Sequence, residues 1–489
     1  MPTPAQMPRA TQVPEGLDDV AEALVAGMGR TRAQLEELVR IRSISASPDH
    51  VDECRRSAER TAELLTEAGL DEVRLLELTP DDTGRVVHPY VTGAWLGAGD
   101  DAPTVLLYAH HDVQPTAGAA NWTSDPFEPT EREGRLYGRG AADDKAGILA
   151  HLAALRAWRD ARGSLPVNVK IIVEGEEEIG SPNLDRFLTA HADDLRADVI
   201  VLTDLTNWQV GWPGLTYALR GMADVFVDVA TLGQPVHSGM WGGPVPDALT
   251  ATARLLATLH DDRGVITVPG FADDVRALTA DERARLDELD LDEDALRGDV
   301  RLLDGVTTIG DPDRSLVERL WMQPSITPTG MDVPMVAEAS NTLLSKVRAK
   351  LSVRLAPGQD PDRALGALED HLVAAAPFGA QVEVTLGERN AAWVMEPGGP
   401  AWDAAVAAMT AAYGRAPATM GCGGSIPFVQ PFSDAFGGAP CLLVGVEDPA
   451  SNAHGEDESL HLEDFTRACL TEAFLLAELA ARGPELRRP

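Results

Sequence analysis

The chain is poor in cysteine, in positive charge and in long apolar runs. Its four cysteines, Cys54, Cys422, Cys441 and Cys469, show no CxxC and no framework spacing. That excludes a disulfide scaffold and fits a reducing compartment. Lysine is confined to Lys145, Lys170, Lys346 and Lys350, and 41 Lys+Arg against 77 Asp+Glu leave a net charge of −36. So negative a surface repels phosphates and argues against a nucleic-acid partner. The uncharged stretch from Ala416 to Ser433 contains Pro417, Pro427 and Pro431 with Gly421, Gly423 and Gly424, a mixture that a membrane-spanning helix does not carry. The Pro-rich start MPTPAQMPRATQVPEGLDD lacks an apolar segment, so no signal peptide is expected and the chain is placed in the cytoplasm, off the membrane.

What is present is ordinary for a folded chain: 489 residues, 44% hydrophobic and 24% charged. At about 150 residues per domain this gives three domains, or two with one interrupted. Leu17 to Val39 has helical spacing. Apolar runs then alternate with helical segments: strand Val105–Ala109, helix Asp144–Trp158, and strands Val167–Val173 and Val199–Leu202. Such runs between helices predict a mostly parallel sheet covered on both faces. From Lys346 to Leu355 the pattern becomes strict alternation, with Val347, Ala349, Leu351, Val353 and Leu355 on one face, the mark of a half-exposed strand. Asp360-Pro361 then opens a helix as N-cap and first residue. A similar pair lies upstream, strand Val225–Val229 and a helix from Pro246. The tail returns to helix Trp402–Tyr413 and strand Cys441–Val446. The expected architecture is an α/β domain, residues 1–213 and 389–489, interrupted by a smaller α+β domain at 214–388.

Four parallel-type strands lead into metal-capable residues: His110-His111-Asp112, the run Glu174-Gly175-Glu176-Glu177-Glu178, Asp204, and a loop with Asp448 and His454. Ligands in open α/β sheets bind beyond the carboxyl ends of the strands, where such loops converge. In an extended segment His110 and Asp112 share a side, so Asp112 is placed to accept the second ring N–H of a ligating His110, while His111 is read as structural. Gly138-Arg139-Gly140-Ala141-Ala142-Asp143-Asp144-Lys145 opens a helix but lacks phosphate-loop spacing. Asp143 there is either an N-cap or a carboxylate bridging two cations. The glutamate run is either a solvated loop or a cluster whose repulsion a dication relieves; in the second case one glutamate ligates and its neighbour serves as base.

His110-His111-Asp112-Val113-Gln114-Pro115, GRGAADDKAG, EGEEEIGS, Asp204, His237-Ser238-Gly239, GGSIP at 423–427 and His454 occur in order. Nearly the whole chain from residue 17 thereby resembles the carnosinase, aminoacylase and glutamate-carboxypeptidase family of two-zinc metallopeptidases, most of all its carnosinase-like dipeptidases. The resemblance implies one metal held by His110, Asp143 and Asp204 and a second by Asp143, Glu178 and His454. It makes Glu177 the general base and Asp112 the group that orients His110, and it implies a cis bond between Asp143 and Asp144. The inserted domain would be a ferredoxin-like lid that also forms a homodimer. His237 would reach the partner's site to stabilise the oxyanion, Arg354 and Asn341 would grip the substrate carboxylate, and Gly424 and Ser425 would line a substrate loop. Cys422 stands where relatives often have an acidic residue, and GEDES follows His454 in place of the usual SQNE-type continuation.

The implied reaction is hydrolysis of a dipeptide or similar small peptide with a free carboxylate, by a water that bridges two divalent ions and is activated by Glu177. Zinc is the expected metal, with manganese or cobalt as alternatives. The competing readings are an N-acyl-amino-acid amidohydrolase on the same centre and a non-catalytic binding protein of the same fold.

Overall fold

The computed structural model describes residues 6–80, 86–116, 119–426 and 428–486. Pro427 of the GGSIP stretch and the first five residues of the Pro-rich start lie outside them. Two compact units emerge: Met1–Tyr217 with Met395–Met420 and Ile426–Pro489, and Ala218–Val394 with Gly421–Ser425. The inserted unit therefore starts and ends a few residues later than the sequence pattern suggested. It also reclaims the short segment 421–425, because Arg220 donates to the Gly423 carbonyl at 3.1 Å and Trp321 packs on Gly421.

In the first unit four parallel strands lie side by side in the order Asn168–Glu174, Thr104–His110, Val199–Thr206 and Cys441–Glu447. Antiparallel strands flank them: Tyr90–Trp95 and Asp71–Leu76 at one side, and Gly214–Leu219, paired through Leu215 and Thr216, at the other. Almost every residue of Thr104–His110 and Asn168–Glu174 is buried. Successive side chains in a strand point to opposite faces, so both faces of the sheet are covered. Helix Lys145–Arg162 supplies part of that cover and packs on Asp18–Val39 and Leu462–Ala481. Its start is capped by Asp144, which accepts from the Gly147 N–H, and its end by Gly163 at φ 73°, a left-handed position suited to glycine. Asp143 is thus not the cap.

The second unit is built on a four-stranded antiparallel sheet in the order Ser325–Met331, Lys346–Leu355, Gly221–Ala230 and Gln381–Asn390. With helices Ala248–Leu256 and Pro361–Ala374 in chain order this is the β-α-β-β-α-β, ferredoxin-like arrangement. The alternating residues Val347, Ala349, Leu351, Val353 and Leu355 are all buried, against Leu365, Leu368 and Leu372 of the second helix. Asp360 caps that helix by accepting from the N–H groups of Asp362 and Arg363. Three short helices, Ala280–Asp287, Glu293–Asp299 and Leu316–Trp321, carry too few turns to leave a clear periodic signal. Among the described residues no helix is long and apolar enough to cross a membrane.

Candidate active site

The carboxyl ends of the four parallel strands deliver their side chains to one place. Strand Thr104–His110 ends on His110, whose Nε2 lies 3.0 Å from Asp143 Oδ1 and 3.6 Å from Asp204 Oδ1. The other oxygen of Asp143 lies 3.0 Å from His454 Nε2, which is also 3.2 Å from Glu178 Oε2. Asp143 therefore faces one histidine with each oxygen, and His110, Asp143, Glu178, Asp204 and His454 form one connected cluster. The bond between Asp143 and Asp144 is cis.

The groups around this cluster hold it in register. Asp112 Oδ1 approaches His110 Nδ1 at 3.4 Å, and its Oδ2 accepts from Ser45 Oγ at 2.6 Å and from the Glu178 N–H at 3.1 Å. Glu178 accepts in turn from the N–H and the side-chain amide of Gln114, at 3.1 and 2.9 Å. Of the glutamate run, Glu174 and Glu176 turn inward to Tyr90, Tyr108, Asn183 and the His88 N–H. Glu177 and Glu178 occupy a single helical turn, Glu177–Ile179, at the site. His111 bonds the Pro89 carbonyl at 2.9 Å, and burial pulls its pKa down to about 4, as befits a structural imidazole.

The electrostatics are those of a site built around positive charge. Burial, with the charge of Asp143, pushes Glu178 up to about 7. Burial and the neighbouring Asp204 hold Glu177 well above the usual carboxylate range, and burial raises Asp204. Burial opposes the ionisation of His110, but Asp204, Asp112 and Asp143 outweigh it and raise the imidazole. Carboxylates crowded in a buried pocket cannot all ionise without a counter-charge. The donor set of imidazole nitrogens and carboxylate oxygens suits zinc, manganese or cobalt dications. The residues present thus fit a metal pair.

The model of peptidase family M20/M25/M40 matches residues 106–478. The chain belongs to this family. It is 36% identical over 446 residues to the cysteinylglycine-S-conjugate dipeptidase of Corynebacterium striatum, covering 91% of this chain and 94% of that one. It is 30% identical to the Beta-Ala-His dipeptidase of Rattus norvegicus, over 84% of each. Among solved structures, human carnosine dipeptidase 1 superposes with a TM-score of 0.83 at 27% identity, over 96% of this chain and 99% of that one. The di-peptidase Dug1p of Saccharomyces cerevisiae gives 0.84 at 25%, over 95% and 99%. The chain is accordingly an enzyme of the M20 family.

Two acidic residues of this M20 peptidase escaped the sequence reading. Asp144 lies within reach of His110 and Asp204, and Glu447 of Asp143 and Asp204. Strand Cys441–Glu447 runs one residue further than its apolar pattern, and neighbouring side chains there point opposite ways. Glu447 consequently enters the cluster, while Asp448, expected among the metal-capable residues, pairs with Arg135 at 2.8 Å. Burial and the charges of Asp143 and Asp204 raise Glu447 well above the usual range. An acidic residue directly ending a strand was the available signal.

The other expected site residues belong to the second unit. His237 is exposed and adjoins Asn341, because strand Val236–His237 pairs with Thr342–Leu343 and the Ser238 N–H donates to the Asn341 carbonyl at 2.9 Å. Arg354 is half-buried on its strand and interacts electrostatically with Cys422 and Asp224, and burial lowers its pKa. Gly424 follows Cys422 closely, its N–H donating to the thiol sulfur at 3.3 Å. Arg220, not singled out from sequence, is brought down to about 10 by burial and by the charge of Arg354.

Proposed function

We propose that this M20 enzyme is a di-metal dipeptidase that hydrolyses small peptides bearing a free carboxylate. The observation that carries the reading is Asp143, which presents one oxygen to His110 and the other to His454, each at 3.0 Å. Asp143 would serve two cations at once, one held with His110 and Asp204 and the other with Glu178 and His454. Two bound dications would supply an activated water and polarise the scissile carbonyl.

The chain's own residues do the rest. Glu177, beside Asp204, Glu178 and Asp143 yet not one of the bridging contacts, takes the proton of the attacking water. Having taken that proton, Glu177 is placed to return it to the leaving amine. Asp112 fixes the His110 ring at Nδ1, with its main-chain carbonyl at 3.1 Å and its carboxylate at 3.4 Å. Arg354 offers a fork of N–H donors to the substrate carboxylate, with Asn341 and the Gly424–Ser425 backbone as further contacts. His237, exposed in the second unit, is assigned to oxyanion stabilisation in a partner copy, which makes the homodimer the active form. The relatives named for cysteinylglycine-S-conjugates and for Beta-Ala-His support a dipeptide substrate over an acyl-amino acid.

Metal-stripped protein reconstituted with zinc, manganese or cobalt should take up two equivalents and cleave members of a dipeptide panel. Preference for acetyl- or succinyl-amino acids would replace the dipeptidase reading with the deacylase one. Retention of full turnover without metal would overturn both.

A further inference from the structure

We propose that Glu458, together with Arg139, is a positioning residue of the metal centre, locking the loop of Asp143 to the loop of His454. The inference rests on the assignment of those two residues as metal ligands. Glu458 is fully buried, and its carboxylate is hydrogen-bonded to the loop that carries Asp143. Its Oε1 accepts from the N–H groups of Ala142 and Asp143 at 2.9 and 3.1 Å. Its Oε2 accepts from the Gly140 N–H at 3.1 Å and from Arg139 Nη1 at 2.6 Å. The main-chain N of Asp143 is thereby pinned one residue's breadth from the oxygens that face His110 and His454.

Arg139, equally buried, completes the lock from the other side. Its Nη2 donates to the carbonyls of His454 and Gly455, both at 3.0 Å, and to that of Pro115 at 3.3 Å. Pro115 follows Gln114, whose amide holds Glu178. His454 has φ 64°, a left-handed conformation that costs a non-glycine residue energy and persists only when its surroundings enforce it. The bonds from Arg139 to its carbonyl and the next are that enforcement.

A structural ion pair would be replaceable, since a buried charge pair rarely stabilises more than an apolar pair of equal volume. What an apolar pair cannot do is organise three main-chain N–H groups and three carbonyls from separate loops around one point. That accounts for a full positive–negative pair buried here. Of the acidic residues that follow His454, Glu458 alone turns to the Asp143 loop, while Glu456 and Asp457 bond outward to Asn121 and Thr123.

The test is metal affinity, measured by zinc competition with a chromophoric chelator and by the visible spectrum of the cobalt-loaded protein. Glu458→Gln, which turns two N–H donors toward N–H donors, should lose about 10–100-fold in affinity for at least one ion and change the cobalt spectrum. Arg139→Lys, which keeps the charge but loses the fork, should weaken binding in the same direction and less. Asp448→Asn, which breaks the neighbouring Asp448–Arg135 pair, should lower the metal-free melting temperature without moving either metal readout. Folded Glu458→Gln that binds two ions within about twofold of wild type would overturn the proposal; if that variant does not fold, Arg139→Lys decides by the same criterion. Failure of the wild-type chain to bind two ions overturns the metal assignment itself, so the two failures are told apart.

Discussion

Replacing Glu177 with glutamine separates catalysis from metal binding. The substitution keeps the shape of the side chain and removes its ability to accept a proton. None of the contacts that assemble the cluster passes through Glu177: Asp143 meets His110 and His454, Asp204 meets His110, and Glu178 meets His454 and Gln114. Metal stoichiometry and affinity should therefore stay at wild-type values. The negative charge of Glu177 is opposed by burial and by Asp204, Glu178 and Asp143, so its removal should leave the metal-free fold as stable as before or slightly more so. The loss falls on the chemical step. A positioned general base contributes about 10²–10⁴ in rate, and at about 1.36 kcal/mol per tenfold this is roughly 2.7–5.4 kcal/mol of barrier. Steady-state kinetics on a cleaved dipeptide should show that drop in kcat with KM within a few-fold. A variant that keeps more than a tenth of wild-type kcat with two ions bound would refute the assignment of Glu177 as base.

The remaining expectations concern the second unit and the thiols. Leu351→Ala opens a cavity between the four-stranded sheet and its helices and should cost about 2–5 kcal/mol in urea unfolding. Glu282 is held by both terminal nitrogens of Arg276 and by Thr279, and the Arg276 partnership lowers its pKa to about 2 from 4.5. Its contribution should be complete above pH 4.5 and vanish as pH falls toward 2; Glu282→Gln should lose about 1–2 kcal/mol at pH 7, after allowance for screening, and nothing near pH 2. An equal loss at both pH values would show that packing, not charge, is at stake. Burial pushes Cys54 and Cys441 up to about 12 and raises Cys469, so iodoacetamide on the native protein should label Cys422 first. Mass spectrometry locates the label, and a rise in KM on labelling is expected from the closeness of Cys422 to Arg354.

Which segments form strands and which face of Lys346–Leu355 goes inward follow from local hydrophobic pattern, because a strand with one covered face imprints its period of two on the chain. Of the candidate metal ligands, His110, Glu178 and Asp204 were legible for a related reason: each stands at or near the end of an apolar strand, and parallel strands carry their carboxyl ends to the same edge of the sheet. Tertiary structure decided what no local pattern contains. It chose Glu177 and Glu178 over Glu174 and Glu176, since a turn of the backbone, not residue type, sets which carboxylates face the cluster. It placed Glu447 rather than Asp448 at the site, because one more strand residue reverses the direction of a side chain. It also joined Arg139 to Glu458 across 319 residues of chain. Such contacts arise only when distant loops are packed together, and sequence separation leaves no periodic trace of them.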